Sequence, residues 1–149
     1  LSGTLEFSTE NASDVMVPLE ELIILDESTT PDQVEKEVAR TGFSRFPVAD
    51  AQGVLKGYIH LKDVLYADET ERFEPITSWR IRKMEAVPMD AEVEDALRHM
   101  QRAGAHLAEV MGADGTVTGV LFLEDILERL VGEVRDALQK DTLPGNYRS

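Results

Sequence analysis

Gly57-Tyr58-Ile59-His60-Leu61-Lys62-Asp63-Val64-Leu65 returns further along the chain as Gly119-Val120-Leu121-Phe122-Leu123-Glu124-Asp125-Ile126-Leu127, with Gly, Leu, Asp and Leu at matching places. The interval from Gly57 to Gly119 is 62 positions. The same shift lays Arg40 on Arg102, Gly42 on Gly104, Val48 on Val110 and Gly53 on Gly115 without a gap. A period of this length means that one supersecondary unit has been written twice, and that the two copies share one architecture.

Each copy shows the same order of local signals. A short apolar run comes first: Leu22-Ile23-Ile24-Leu25 in copy one and the weaker Glu85-Ala86-Val87 in copy two. A helix follows. Thr30 has the chemistry of an N-cap, Pro31 suits the first helical position and Gln33 completes a capping box, with Val34 and Val38 on one face and Gly42 at the stop. In copy two, Asp90 is the expected cap; Val93, Ala96, Leu97 and Met100 form the face, and Gly104 is the stop. Two strands come next, Phe46–Ala49 and Leu55–Ile59, joined by the turn residues Asp50-Ala51-Gln52-Gly53. A short helix after Leu61 closes copy one. After Leu123 its counterpart is longer, with Ile126, Leu127, Leu130, Val131, Val134 and Leu138 read as one apolar stripe packing on a core or a partner.

The fold class is therefore α/β (α+β), two β-α-β-β-α repeats packed as a pseudo-twofold pair, since about 50 residues cannot bury a sheet face alone. The expected organisation is a connector over 1–13, repeat one over 14–66, a linker over 67–81, repeat two over 82–138 and a flexible tail over 139–149. The linker's Phe73 and Trp79 are expected to anchor it.

Composition narrows the function. There are 149 residues with 15 Lys+Arg against 29 Asp+Glu, a formal net charge of −14, and a 42% apolar content that supports a core. That acid excess argues against nucleic acid as a partner, because polyanions need a basic patch. With no cysteine, thiolate metal sites, disulfides and Cys nucleophiles are excluded. No apolar run is long enough to span a bilayer. The start at Leu1, without Met, is expected to be the start of an excised piece of a longer chain.

Ser44-Arg45-Phe46-Pro47-Val48 followed by Gly57–Leu65, and Gly119–Leu127 in the second copy, resemble the two halves of a CBS (cystathionine-β-synthase-type) domain pair. Asp14-Val15-Met16-Val17-Pro18, the His60-Leu61-Lys62-Asp63 run and Leu130-Val131-Gly132-Glu133-Val134-Arg135-Asp136 are similar to the magnesium/cobalt-efflux, CorC-type and haemolysin-like membrane protein family. The resemblance covers about residues 14–136. It implies a regulatory module at the cytoplasmic face of the cell membrane, attached to a membrane domain of the same full-length protein. It also implies a homodimer and adenine nucleotide binding, ATP or AMP with Mg2+, in a cleft between the copies.

The nucleotide contacts so implied are Ser44, Arg45, Pro47, His60, Lys62, Asp63, Phe122 and Asp125. Asp63 and Asp125, just inside helix starts, would accept ribose hydroxyls; as plain helix-dipole carboxylates they would instead be structural. Arg45, as a planar multidentate donor, and Ser44, through its hydroxyl, suit phosphate. His60 and Lys62 share a turn with Asp63. His99 and His106 show no metal-ligand spacing.

Three positions depart from the family pattern. Phe122 stands where a Thr is usual, Phe43 where a His precedes Ser-Arg, and Glu109 is the counterpart of Pro47, placing a carboxylate where phosphate would be disfavoured. A ligand-free dimerisation module is the alternative they open. No P-loop, HExxH or Gly-x-Ser-x-Gly pattern occurs, and the sequence reads as no enzyme.

Overall fold

The computed structural model describes residues 10–140. The first elements are α1 (Ala12–Val15), β1 (Val17–Pro18), β2 (Leu25–Asp26), α2 (Pro31–Thr41), β3 (Arg45–Ala49) and β4 (Leu55–His60). They are followed by β5 (Glu85–Pro88), α3 (Val93–Ala103), β6 (Leu107–Met111), β7 (Val117–Phe122) and α4 (Leu123–Lys140). This mixed α+β content, with two sheets, is the class the repeat implies.

The chain divides into two compact units. Glu20–Met84 forms one, and among the described residues 10–19 together with 85–140 form the other. The first is thus an insert within the second; we call them the inserted and the split unit.

In the inserted unit the sheet order is β2-β3-β4, with β2 parallel to β3 and β3 antiparallel to β4. Helix α2 forms where its signals lie. Gln33 N–H donates to Thr30 Oγ1 at 3.2 Å, Thr30 N–H donates back to Gln33 Oε1 at 3.0 Å, and Gly42 ends the helix at φ 78°. Val34, Phe46, Val48, Ile59 and Val64 build the core. The linker seals it through Ile76, 8% exposed, whose N–H donates to Thr29 O at 3.0 Å. Phe73 and Trp79, 63% and 73% exposed, are not the anchors expected. Strand β2 is also shorter than its apolar run: only Leu25 and Asp26 pair, with Val48 and Ala49, and the next place along β3 is Pro47, which has no N–H to give the ladder.

In the split unit the order is β1-β7-β6-β5. Val87, Ala96, Met100, Ala108, Val110, Leu121 and Ile126 form its core, with Ala12 fully buried among them. Helix α3 begins two residues later than the sequence suggests: Glu92, not Asp90, is its N-cap, and no side chain caps it. The position is set by Val93 N–H donating to Glu10 O at 3.0 Å, a link from a distant segment that local spacing does not encode.

The repeat persists in the bonding. Ile76 N–H to Thr29 O has its counterpart in Ala12 N–H to Ala91 O, and Leu61 N–H to Ser44 O in Leu123 N–H to His106 O. Arg82 bridges Tyr58, and Val17 pairs with Val120 in the same way. The segment leading into each copy therefore completes the sheet of the other copy: residues 12–18 close the second sheet, and residues 76–82 the first.

Candidate functional site

Six of the eight expected contacts lie in the inserted unit, gathered at the end of the β3–β4 ladder. Arg45 is the register partner of His60, and Pro47, buried, is the partner of Tyr58. The chain leaves β4 in a 3-10 turn over Leu61–Val64 that carries exposed Lys62 and half-buried Asp63. Lys62 N–H donates to His60 Nδ1 at 3.2 Å, so that ring nitrogen carries no proton. Burial, then the Arg45 charge, hold the His60 imidazole below its usual range, against the opposing pull of Asp63. Leu61 N–H to Ser44 O at 2.8 Å ties Ser44 to the same turn.

Asp63 is fully engaged. His60 N–H donates to its Oδ2 at 3.0 Å, while Arg82 Nε and Nη2 donate to Oδ2 and Oδ1 at 2.7 Å each. Burial pushes this carboxyl up, but the guanidinium and the amide outweigh it and leave it below the ordinary carboxylate range. Arg82 is the partner of Asp63 that sequence reasoning missed. Its signal was the cationic run Arg80-Ile81-Arg82-Lys83 in a chain of net charge −14. Among the charges around His60, Arg45, Lys62 and Arg82 favour the neutral ring and Asp63 favours the charged one.

Phe122 and Asp125 belong to the split unit. Phe122, half-buried, ends β7 opposite Leu107. Asp125 sits in the first turn of α4, half-buried, with no hydrogen-bond or ion-pair partner among the described residues. Burial, with Glu128 and Glu124 adding to it, raises its carboxyl above the ordinary range. Its repeat counterpart has an arginine; here Val17 stands at the place that Arg82 takes on the other sheet. Glu109, on β6, is likewise raised by burial.

His99 Nε2 lies 3.0 Å from Glu85 Oε1. Among the described residues no three His, Cys, Asp or Glu side chains are grouped to hold a metal ion, and no helix is long and apolar enough to cross a membrane.

Two sheets built on one plan and each closed by the leading segment of the other copy make a tandem module, and the CBS domain family model matches residues 12–69 and 79–132. The chain belongs to the CBS domain family. Among its relatives, an uncharacterised protein of Mycobacterium tuberculosis is 37% identical over 145 residues, covering 94% of this chain and 42% of the relative. The magnesium and cobalt efflux protein CorC of Escherichia coli is 28% identical over 144 residues, covering 95% of this chain and 49% of CorC. This CBS pair thus spans less than half the length of either relative. A solved structure, the CBS domain of the bacterial CNNM/CorC family Mg2+ transporter in complex with ATP, superposes with a TM-score of 0.73 over 82% of this chain and 87% of that one. At 22% identity that likeness establishes the CBS fold alone.

Proposed function

We propose that this CBS pair is the cytosolic regulatory module of a magnesium- or cobalt-type ion transporter. It works at the cytoplasmic face of the membrane, joined to the membrane domain of the same protein, forms a homodimer, and senses an adenine nucleotide, ATP or AMP, together with Mg2+. It regulates and does not catalyse. The observation that carries the reading is Asp125: a half-buried carboxylate at a helix start, raised by burial and unpartnered among the described residues, has a standing demand for donors that ribose hydroxyls would satisfy. Arg45 is the cation proposed for phosphate, with Ser44, His60 and Lys62 around it, each read from its own unit. CorC's efflux activity and the ATP in the solved relative support the same reading. Transmission requires that the nucleotide bind two geometries of the module unequally.

Thermal unfolding with ATP, ADP and AMP, each with and without Mg2+, tests it on the wild type and Asp125→Ala. Ligand at 100-fold its Kd adds about 2.7 kcal/mol, a shift of several degrees. The shift is expected in the wild type and lost in the variant. No shift with any nucleotide overturns the sensor. The second reading, a ligand-free dimerisation module, would then stand; it is favoured by Phe122 at the end of β7 and by Arg82 already occupying Asp63.

A further inference from the structure

The turn Leu61–Val64 is capped by an atom that takes protons. Lys62 N–H donates to His60 Nδ1 at 3.2 Å, and His60 N–H donates to Asp63 Oδ2 at 3.0 Å, so the two ends of the turn cap each other. Ser, Thr, Asp and Asn are the usual residues at such a place, and their oxygens go on accepting near neutral pH. An imidazole accepts only while it is neutral, because the charged ring has two donors and no acceptor. In the second copy the same position is Phe122, which takes no proton.

Four charged groups act on the His60 ring. Arg45 faces it across the β3–β4 ladder, Lys62 stands on its own turn and Arg82 comes from the lead-in segment; all three oppose a positive ring. Asp63 alone favours one, and its two oxygens already accept three bonds, from His60 N–H, Arg82 Nε and Arg82 Nη2. Tyr58, two places back on β4, is buried and bridges to Arg82. An imidazolium at this place therefore loses the Lys62 amide and gains no free carboxylate.

We propose that His60 makes this turn a proton-operated switch, closed on the neutral imidazole and opened when Nδ1 takes a proton from solvent. The proton and the Lys62 amide compete for one lone pair. As the new N–H bond forms on the ring, the hydrogen bond from Lys62 breaks and water takes over that amide. The event reaches past His60, because Asp63 closes the turn with one oxygen and holds Arg82 with both, which ties segment 76–82 to the same group. The sign follows from the competition. The cap contributes stability above the ordinary imidazole value of 6.5, and that contribution is lost as pH falls through the lower folded value. The switch belongs to the chain itself and holds whether or not a nucleotide binds.

Nitrogen NMR of the 149-residue chain from about pH 5 to about pH 8 tests it, with His60→Asn as the companion variant. Asn keeps an acceptor at the cap and does not titrate, and its spectrum identifies the His60 ring among the three histidines. In the wild type the His60 ring is expected to titrate below 6.5, and the Lys62 amide resonance to move with the same midpoint. Protection of that amide against exchange should fall by up to about tenfold per pH unit below 6.5. In His60→Asn the Lys62 amide should hold its position and its protection over the whole range. A wild-type ring that titrates at or above 6.5 shows that the closed turn tolerates the charge, and overturns the switch. A Lys62 amide that does not follow the ring overturns it as well. An equal loss of protection in His60→Asn assigns the opening to another group and overturns the role of His60.

Discussion

Arg82 grips Asp63 through two bonds of 2.7 Å, whereas Asp125, the repeat counterpart of Asp63, meets no cation among the described residues. One repeated position thus carries two chemistries. At the first the charge is answered by a guanidinium; at the second burial and the neighbouring acids Glu128 and Glu124 leave the carboxyl raised.

Replacing Arg82 by Ala is expected to cost about 1–3 kcal/mol, because it leaves a half-buried carboxylate with only the His60 amide. Asp63 titrates below its unfolded value of 3.8, so its contribution is present above about pH 4 and is lost as pH falls through the lower folded value. Urea unfolding of wild type and variant should therefore differ at neutral pH and converge in strong acid.

Asp125 has the opposite sign. Its folded pKa lies above the unfolded value of 3.8, so the folded state holds the proton more tightly and stability falls as pH rises through that window. Asp125→Asn should raise the melting temperature at pH 7 in the absence of nucleotide and lose that advantage below about pH 4. A variant less stable than wild type at pH 7 would contradict the unpartnered carboxylate.

A Cβ on Gly119 would stand 2.5 Å from Val17 O and 2.7 Å from Met16 Sδ. Gly119→Ala must therefore push β1 off β7, at about 1–3 kcal/mol as for other overpacked sites. Amide exchange at Val17 and Val120 should accelerate well before the rest of the sheet is affected.

Thr30→Ala removes the acceptor for Gln33 N–H and one half of the capping box on α2. The expected loss is about 1 kcal/mol, measured by chemical denaturation. The corresponding change at Glu92 should cost little, since no side chain caps α3.

Much of this was legible in the sequence. The 62-residue shift found both hairpins, and Thr30, Gln33 and Gly42 marked α2, because caps and turns are written within four residues of where they act. What stayed hidden depends on distant partners. The three apolar residues Leu22, Ile23 and Ile24 lie outside β2, since pairing there is decided by β3. Glu92 displaced Asp90 as a cap because Glu10 holds Val93. Arg82 read only as the first residue of repeat two, and only its bridge to Tyr58 brings its guanidinium to Asp63. The stripe on α4 was visible as a stripe, but periodicity could not tell the face on the core from the face left outside.

The exchange of leading segments gives the chain an order of assembly. Everything the inserted unit needs lies between Glu20 and Met84, so it can close while the ribosome is still adding the second copy. Residues 12–18 are made first yet find their places last, because Val17 has no partner until Val120 emerges. Bringing those two together closes a loop whose entropy grows only slowly with length, and the already folded insert shortens it further. Cutting the gene between the repeats would accordingly be unequal: the front piece would keep one whole unit trailing an idle lead, and the back piece would be left with an unclasped edge on β7.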